Sequence, residues 1–221
     1  MFRQRVICER RFSTIVVWHC NKIIFIFSKT EQVKMRVFFV TGNKGKFLEA
    51  SSILRGYGIE LQLDTIHEKL EIQSENLEDI VSNALKYLCG DSISDYFVVE
   101  DDGLFINALN GFPGPYSSYV YKTIGITGVL KLMSDINDRS AYFKSVVGVC
   151  GPNGITRLFT GVAYGSISRE PRGSGGFGFD PIFIPSGYDR TFAELGIEVK
   201  NKLSHRAKAF RALGEWLLSN R

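Results

Sequence analysis

Apolar residues in the first half of the chain recur at two spacings, which predict alternating strands and helices. Strands are predicted at Val37–Val40, Glu60–Ile66 and Tyr96–Glu100. Helices are predicted at Lys46–Arg55 and from Ser74 or Asn76 to about Leu88. This β-α-β-α-β order predicts an α/β protein with a mixed sheet, whose site lies at the carboxyl ends of strands.

Turn-forming residues divide the second half into further predicted elements. Gly111–Tyr116 holds two prolines and two glycines, so we expect a loop there rather than regular strand pairing. Two β-rich stretches, Tyr142–Cys150 and Thr156–Ser168, flank the hairpin signal Gly151–Gly154. Helices are predicted at Gly128–Ser134 and at about Leu203–Leu218, the second with Ser204 as its N-cap.

Residues 1–34 have a composition unlike that of the rest. They contain seven Lys or Arg and two Asp or Glu, whereas the remaining residues contain 20 and 21. The apolar run from Ile15 to Phe27 is interrupted by polar residues and is shorter than the roughly 20 residues of a membrane span. A targeting presequence, an added β-hairpin and translated upstream sequence remain as interpretations. We expect Met35 to be the functional start, with residues 1–34 an N-terminal extension and residues 35–221 the functional domain.

Composition and charge limit the classes of function. With 44% hydrophobic and 23% charged residues, the 221-residue chain is typical of a folded soluble protein. Because the net charge of +4 comes from residues 1–34, the body lacks a broad basic surface, so neither long nucleic acid nor a membrane is an expected partner. Four dispersed cysteines without a CxxC pair indicate a reducing, cytoplasmic environment, where we expect them to be small apolar core residues.

Thr41–Lys46 lies where a predicted strand meets a predicted helix. Backbone N–H groups and the helix dipole favour an anion at such a junction, and Lys44 and Lys46 add positive charge. The segment is not a Walker A loop, because its glycine spacing is too short and Phe47 stands in the Ser/Thr position. It indicates either a polyphosphate site or an ordinary strand–helix turn with solvated lysines.

Three consecutive acids, Glu100, Asp101 and Asp102, are predicted at the end of an apolar strand. Their mutual repulsion is costly in a dry environment, and a divalent cation would relieve it. Mg²⁺ prefers one or two carboxylates together with phosphate oxygens and water, and Glu71 is a candidate second ligand. Neighbouring strand residues point to opposite faces, so the three acids cannot line one site equally, and a solvated acidic turn is the alternative.

Two later segments carry aromatic and polar residues that suit a nucleotide. Gly173–Gly178 matches GxGxxG, but the residues after it do not open a helix, so the match is weak as a dinucleotide fingerprint. We interpret it as a loop that presents Phe177 and Phe179 for stacking or core packing, and Asp180 as a polar reader. A cationic cluster near the last helix, suited to an oxygen-rich ligand or otherwise an ordinary surface group, consists of Lys200, His205 and Arg206.

In order and spacing, these segments resemble the inosine/xanthosine triphosphate pyrophosphatase family. The matching pieces, between Arg36 and about Leu218, are Thr41–Lys46, Glu71-Ile72-Gln73, Glu100-Asp101, Phe112–Tyr116, Phe177–Pro181, and Lys200-Asn201 with Ser204-His205-Arg206. The resemblance implies an elongated α/β fold, with a central mixed β-sheet flanked by helices, two lobes around an active-site cleft, and a homodimer. It also implies Mg²⁺-dependent hydrolysis of ITP, dITP and XTP to the monophosphate and pyrophosphate, which cleanses the nucleotide pool.

The same resemblance implies roles for individual residues. Asp101 corresponds to the catalytic general base, and Glu71 and Asp101 to the metal-binding acids. The substrate-binding positions correspond to Thr41, Gly42, Asn43, Lys44, Gly45, Lys46, Asp102, Phe177, Gly178, Phe179, Asp180, Lys200, His205 and Arg206. We expect His205, Arg206 and the Phe177–Asp180 turn to read the base, and so to select against ATP and GTP.

Two positions depart from the family pattern. Asp102 stands where many members have Ser or Thr, and Ser118 where some have Lys or Arg. Asp102 adds a negative charge beside the phosphates, and Ser118 leaves the phosphate charge less neutralised, so both departures put substrate affinity in question. Because of these departures, a nucleotide-binding protein that no longer catalyses stays open as an alternative. A related pyrophosphatase that acts on modified pyrimidines or other bases is a second alternative.

Overall fold

The computed structural model describes residues 35–89 and 93–220, together with the backbone of three earlier strands. The chain divides into two units, Met1–Lys34 and Met35–Arg221. In the first unit, an antiparallel sheet is formed by β1 (Cys8–Glu9), β2 (Phe12–His19) and β3 (Lys22–Ser28). The β2–β3 pair has the form of the hairpin alternative, and the assignment of residues 1–34 as an extension stays a prediction.

Among the residues described from Met35 onward, seven strands form one mixed sheet. They are β4 (Val37–Val40), β5 (Leu61–Asp64), β6 (Tyr96–Ile106), β7 (Pro113–Gly114), β8 (Ser140–Gly151), β9 (Ile155–Ile167) and β10 (Phe183–Pro185). The order is β10-β9-β8-β6-β4-β5, and β7 pairs with β6 beside this path. β4 is parallel to β5 and β6, whereas β6–β8, β8–β9 and β9–β10 are antiparallel. The predicted mixed sheet and the β8–β9 hairpin are confirmed.

Helices flank this sheet. They are α1 (Lys44–Arg55), α2 (Leu77–Leu88), α3 (Ser117–Thr123), α4 (Gly125–Leu132), α5 (Phe192–Leu203) and α6 (His205–Ser219). The side chains that accept a hydrogen bond from the first turns of α1, α2, α5 and α6 belong to Asn43, Asn76, Thr191 and Ser204. The helices predicted from apolar spacing are confirmed as α1, α2, α4 and α6, with ends shifted by a few residues.

Alternate residues of β6 and β8 face opposite sides of the sheet and support two separate cores. Val98 and Val147 pack with Phe39, α1 and α6. Their sequence neighbours Val99 and Val146 pack with α2. A third core, which joins the β9–β10 end of the sheet to α4 and α5, includes Val129, Met133, Phe183 and Phe192. The middle of β6 is therefore covered by helices on both faces.

Strand β6 differs from its prediction because it does not end at Glu100. It continues through Asp101 and Asp102 to Ile106 and pairs with β8 along this length. The three acids therefore lie in the middle of a strand and not in a turn after it. The long neighbouring strand β8 supplies the backbone hydrogen bonds, and cationic side chains described below offset the three charges.

The loop predicted at Gly111–Tyr116 is partly wrong, since β7 within it pairs with β6. Gly103 permits this approach, because a Cβ at that position would lie 2.2 Å from the carbonyl oxygen of Gly114. Helices α3 and α5 and strand β10 were not predicted. In α5 the left-handed backbone of Gly196, with φ of 77°, interrupts the helical period and hides the element from a pattern search.

Cys89 and Cys150 form a disulfide between the end of α2 and β8, with their Cα atoms 6.1 Å apart. The expectation that both are independent apolar residues is therefore wrong. They are 61 residues apart in sequence, and only the fold brings them together. The side chains of Cys8 and Cys20 lie outside the described residues.

We expect Cys89→Ser to lower the free energy of unfolding by about 2–4 kcal/mol, because the cross-link restricts the unfolded chain over a long loop. Cys89 is half-buried, so serine leaves no large cavity. Urea denaturation of the variant and the wild type, with and without a thiol reductant, measures the effect. Equal midpoints for the wild type in the two buffers would contradict a stabilising disulfide.

Candidate active site

A cleft of about 1130 Å³ brings the predicted site segments together. Its walls come from the β4–α1 turn, the segment between β5 and α2, the middle of β6, α3, the Gly-rich loop and the α5–α6 junction. Every residue predicted to bind substrate or metal lines this cleft. Segments far apart in sequence therefore meet at one place, as a shared ligand requires.

The β4–α1 turn places the amino end of α1 at the wall of the cleft. Asn43 Oδ1 accepts the Lys46 backbone N–H at 3.1 Å, and the Asn43 N–H donates to Thr41 Oγ1 at 3.1 Å. The first residues of α1 line the cleft, so the positive end of the helix dipole is available to a ligand there. Gly45 lies under the ring of Phe177, since a Cβ at this position would be 3.0 Å from two ring carbons. The turn and the Gly-rich loop are thus packed together.

A buried network of opposite charges lies beside this turn. Arg206, whose side chain is 1% exposed, donates to Glu49 Oε2 at 2.5 Å and to Glu100 Oε1 at 3.0 Å. Its remaining terminal nitrogen lies 2.9 Å from Asp102 Oδ2. Lys46 pairs with Glu100 at 2.8 Å and also with Asp102. Two cations predicted to bind substrate therefore have carboxylate partners within the protein.

Electrostatics keep this network charged. Burial opposes the charge on Lys46 and Arg206, but the surrounding carboxylates outweigh burial and raise the pKa of both side chains. Burial also opposes ionisation of Asp102, and here Lys46 and Arg206 prevail and hold the carboxyl pKa well below its usual range. The network therefore offsets each buried charge with another of opposite sign.

His205 is buried at the amino end of α6, where its ring stacks on Phe143 with 4.7 Å between centroids. Burial lowers the pKa of His205, so its imidazole is neutral near pH 7. Nε2 lies 3.2 Å from Asp102 Oδ2, and as the donor of a neutral ring it leaves Nδ1 as an acceptor. Nδ1 is buried and has no hydrogen-bond partner among the described residues. The surface-group alternative for His205 and Arg206 is wrong, since both are buried.

The Gly-rich loop covers the charged network with one aromatic ring. Lys200 Nζ lies 4.4 Å from the ring centroid of Phe177. Asp180 accepts from the Phe177 N–H at 2.9 Å and from Lys200 Nζ at 2.5 Å. Phe179 is buried in the third core and meets Tyr121 edge to face. Core packing is therefore the role of Phe179, and Phe177 remains the candidate for stacking on a base.

The two acids predicted to bind metal share a neighbour. Lys69 Nζ lies 2.7 Å from Glu71 Oε1 and 3.6 Å from Asp101 Oδ1. It also donates to the backbone carbonyl of Glu100 at 3.0 Å. Burial raises the pKa of Asp101 to about 6, although Lys69 and Lys46 act in the opposite direction. Glu71 and Asp101 thus face a common position, which a shared cation requires.

The donor set fits a magnesium ion that is shared with phosphates. Across residues 35–89 and 93–220, no three or more His, Cys, Asp or Glu side chains are grouped to hold a metal. Mg²⁺ is usually held by one or two carboxylates, while substrate phosphates and water complete its shell. Glu71 and Asp101 therefore match the protein's share of such a site.

Three residues of the site were missed by sequence reasoning. Glu49 holds Lys200 at 2.8 Å in addition to Arg206, and Ser145 donates to Glu100 at 2.8 Å. Lys69 is the third. Glu49 lies on the buried face of α1, and a charged residue among apolar positions was the available signal. Lys69 and Ser145 gave no such signal.

Both departures from the family pattern lie in the cleft. Ion pairs with Lys46 and Arg206 balance the charge of Asp102, and neutral His205 lies within hydrogen-bond distance of the same carboxylate. Ser118, in the first turn of α3, lines the cleft together with exposed Lys122, one helical turn later. A lysine of the same helix thus supplies positive charge near a position where Ser118 has none.

Known proteins share this arrangement of segments. The sequence profile of the Ham1 family matches residues 37–216, a range that spans every segment lining the cleft. Two curated relatives are dITP/XTP pyrophosphatases from Methanopyrus kandleri and Pyrococcus horikoshii. Each is 53% identical to this chain over 186 residues, which make up 84% of this chain and 98% of the relative.

Solved structures share the fold. The Staphylococcus aureus Ham1 protein superposes with a TM-score of 0.73 and 27% identity, over 84% of this chain and 100% of its own. A nucleoside-triphosphatase, dITP/XTP pyrophosphatase, from Mycobacterium abscessus gives a TM-score of 0.64 and 32% identity, over 81% and 97%. This chain thus shares its mixed sheet and flanking helices with a solved Ham1 protein and a solved dITP/XTP pyrophosphatase.

Proposed function

The chain belongs to the Ham1 family, and from that premise we propose that it hydrolyses ITP, dITP and XTP to the nucleoside monophosphate and pyrophosphate. The activity would remove deaminated purine nucleotides before polymerases use them. The observation that carries the proposal is the cleft, where every residue at a family substrate or metal position meets.

The triphosphate end of the nucleotide fits the amino end of α1. Thr41, Asn43 and Lys44 supply a hydroxyl, a capping amide and a cation, and the helix dipole favours negative charge. The base end fits Phe177 and His205, which offer an aromatic ring and a buried acceptor. A nucleotide bound with its triphosphate at α1 and its base near α6 therefore contacts both the phosphate-binding and the base-binding residues.

Asp101 is the proposed general base. It accepts the proton of the water that attacks the α-phosphorus, the bond from this phosphorus to the bridging oxygen breaks, and pyrophosphate leaves. In the metal-free site, burial raises the pKa of Asp101 to about 6, so the carboxylate is ionised at pH 7 and able to accept a proton. A Mg²⁺ ion held by Glu71 and Asp101 would neutralise charge on the phosphates and on the leaving pyrophosphate.

Base selection is proposed to use hydrogen-bond polarity. His205 Nδ1 is an acceptor, which suits the N1–H of hypoxanthine or xanthine, whereas adenine presents another acceptor at N1. Leaving a buried polar group unpaired costs about 1–3 kcal/mol, which is enough to disfavour ATP. Guanine also has an N1–H, so rejection of GTP rests on its exocyclic amino group.

Pyrophosphate release from a panel of ITP, dITP, XTP, GTP and ATP tests this function. We expect kcat/KM for the first three to exceed that for GTP and ATP by about tenfold or more, the equivalent of about 1.4 kcal/mol. Higher activity on a modified pyrimidine nucleoside triphosphate, added to the same panel, would contradict the purine assignment. Tight ITP binding without Mg²⁺-dependent turnover would contradict catalysis.

We further propose that the enzyme is a homodimer and acts in the cytoplasm, with the Cys89–Cys150 disulfide an exception to the reduced cysteines that are usual there. Three exposed aromatic side chains before and within α3 suit contact with a second copy of the chain, and they belong to Phe112, Tyr116 and Tyr119. In the part of the chain that the structure describes, no helix has the length and hydropathy to cross a bilayer. Light scattering after size-exclusion chromatography tests the dimer, and a monomer mass would contradict it.

We expect Asp102→Ser to lower KM for ITP by about three- to tenfold, since an added carboxylate within reach of the phosphates is repulsive. The change also releases Lys46 and Arg206 from one partner. Steady-state kinetics at fixed ionic strength measures KM. Asp102→Asn keeps the size of the side chain and removes the same charge, so it should shift KM in the same direction. A raised KM in both variants would contradict the repulsive role.

A further inference from the structure

Lys69 is held among three oxygen atoms inside the cleft. Its ammonium lies 2.7 Å from Glu71 Oε1, 3.0 Å from the Glu100 backbone carbonyl and 3.6 Å from Asp101 Oδ1. The Lys69 side chain is 11% exposed, whereas that of Glu71 is 60% exposed. This is not an ordinary surface ion pair, because the lysine is enclosed and anchored to the backbone of β6.

The position of this ammonium is the one that a divalent cation would need. A cation shared by Glu71 and Asp101 must approach the two carboxylates that Lys69 contacts through Glu71 Oε1 and Asp101 Oδ1. The ammonium and a divalent cation bound to the same two carboxylates would lie close together and repel each other. Lys69 and a metal ion therefore compete for one set of ligands.

We propose that Lys69 is the resident counter-ion of Glu71 and Asp101 in the nucleotide-free protein, so that a divalent cation binds weakly until a triphosphate arrives. The proposal rests on the proposed function, because it concerns the same site. A triphosphate supplies further oxygen ligands for the ion and negative charge for the ammonium. Lysine has a flexible stem and three rotatable donors, so its ammonium can turn from Glu71 to a phosphate oxygen.

The arrangement also has a consequence for order of binding. Metal ion and nucleotide enter as a complex, since neither carboxylate is free of Lys69 beforehand. In the absence of nucleotide, Lys69 partly offsets the negative charge of Glu71 and Asp101. Lys69 is thus a positioning residue that acts through Glu71 and Asp101.

Mn²⁺ binding to the nucleotide-free protein, followed by electron paramagnetic resonance, tests the proposal. We expect Lys69→Gln to bind Mn²⁺ about tenfold or more tightly than the wild type, because an opposite charge at this range shifts carboxylate equilibria by one to three powers of ten. Lys69→Arg keeps the charge and should bind as weakly as the wild type. Lys122→Gln, which removes an exposed lysine that also lines the cleft, controls for general charge loss.

Equal Mn²⁺ affinity for Lys69→Gln and the wild type, or a similar gain in Lys122→Gln, overturns the proposal. Thermal melting in metal-free buffer verifies that each variant is folded, and Lys69→Met serves as a second neutral variant. With a non-hydrolysable triphosphate present, the affinity difference between Lys69→Gln and the wild type should shrink. Failure of the proposed function is seen separately, as absence of pyrophosphate release by the wild type.

Discussion

Asp101→Asn is expected to reduce pyrophosphate release from ITP by a factor of about 10²–10⁴, which is the usual contribution of a positioned general base. The amide keeps the shape of the carboxyl group but cannot accept the proton of the attacking water. It is also a poorer metal ligand than the carboxylate. We expect the loss in kcat to exceed any change in KM, since the α1 turn and the Gly-rich loop are untouched.

The same substitution should raise stability in metal-free buffer. The folded-state pKa of Asp101 is raised to about 6, so folding favours the protonated form and the wild type loses stability as pH rises from about 4 to about 6. Asparagine is neutral throughout, and its advantage should reach the order of 2–3 kcal/mol above pH 6 and vanish below pH 4. Urea denaturation across this pH range measures the difference.

Stability and activity together distinguish a catalytic role from misfolding. Asp135→Asn is a matched control, because Asp135 is exposed and does not line the cleft. It should leave both the rate and the pH dependence of stability unchanged. Retention of most activity by Asp101→Asn would rule out Asp101 as the general base.

The periodicity of apolar residues was sufficient to predict the helices and strands that carry most of the site residues. The β4–α1 turn and helix α6 follow from short apolar runs, helical spacing and a serine cap, and the structure confirms them. Strand β6 is longer than local periodicity predicts. A sequence pattern treats three acids as a strand end, whereas pairing with β8 and contacts with Lys46, Lys69 and Arg206 allow the strand to continue.

Contacts between distant residues could not be predicted because no local pattern encodes them. Glu49 and Arg206 are 157 positions apart, and their contact depends on how α1 and α6 pack on the same face of the sheet. The Cys89–Cys150 disulfide and the position of Lys69 arise in the same way. The motifs therefore indicated which residues gather, but not that the cations among them are paired inside the protein.

The ion pairs that Arg206 makes inside the protein predict that substitution of Arg206 causes the largest loss of stability. Arg206→Met is expected to lower the free energy of unfolding by about 3–5 kcal/mol, the usual cost of removing one partner from a buried ion pair. Methionine is similar in length and apolar, so the loss reflects uncompensated carboxylates more than a cavity. Glu49 and Glu100 both lose their hydrogen bonds to the guanidinium, although Lys200 and Lys46 remain beside them.

A second substitution separates charge from packing. Removing the orphaned carboxylate in the double variant Arg206→Met/Glu49→Gln should recover about 1 kcal/mol or more relative to Arg206→Met, because contacting residues couple by about 0.5–3 kcal/mol. Lys200 keeps Asp180 as a partner in that variant. Urea denaturation of the wild type, both single variants and the double variant gives the coupling energy. Strictly additive losses would show that the Arg206–Glu49 ion pair contributes nothing to stability, and would contradict this prediction.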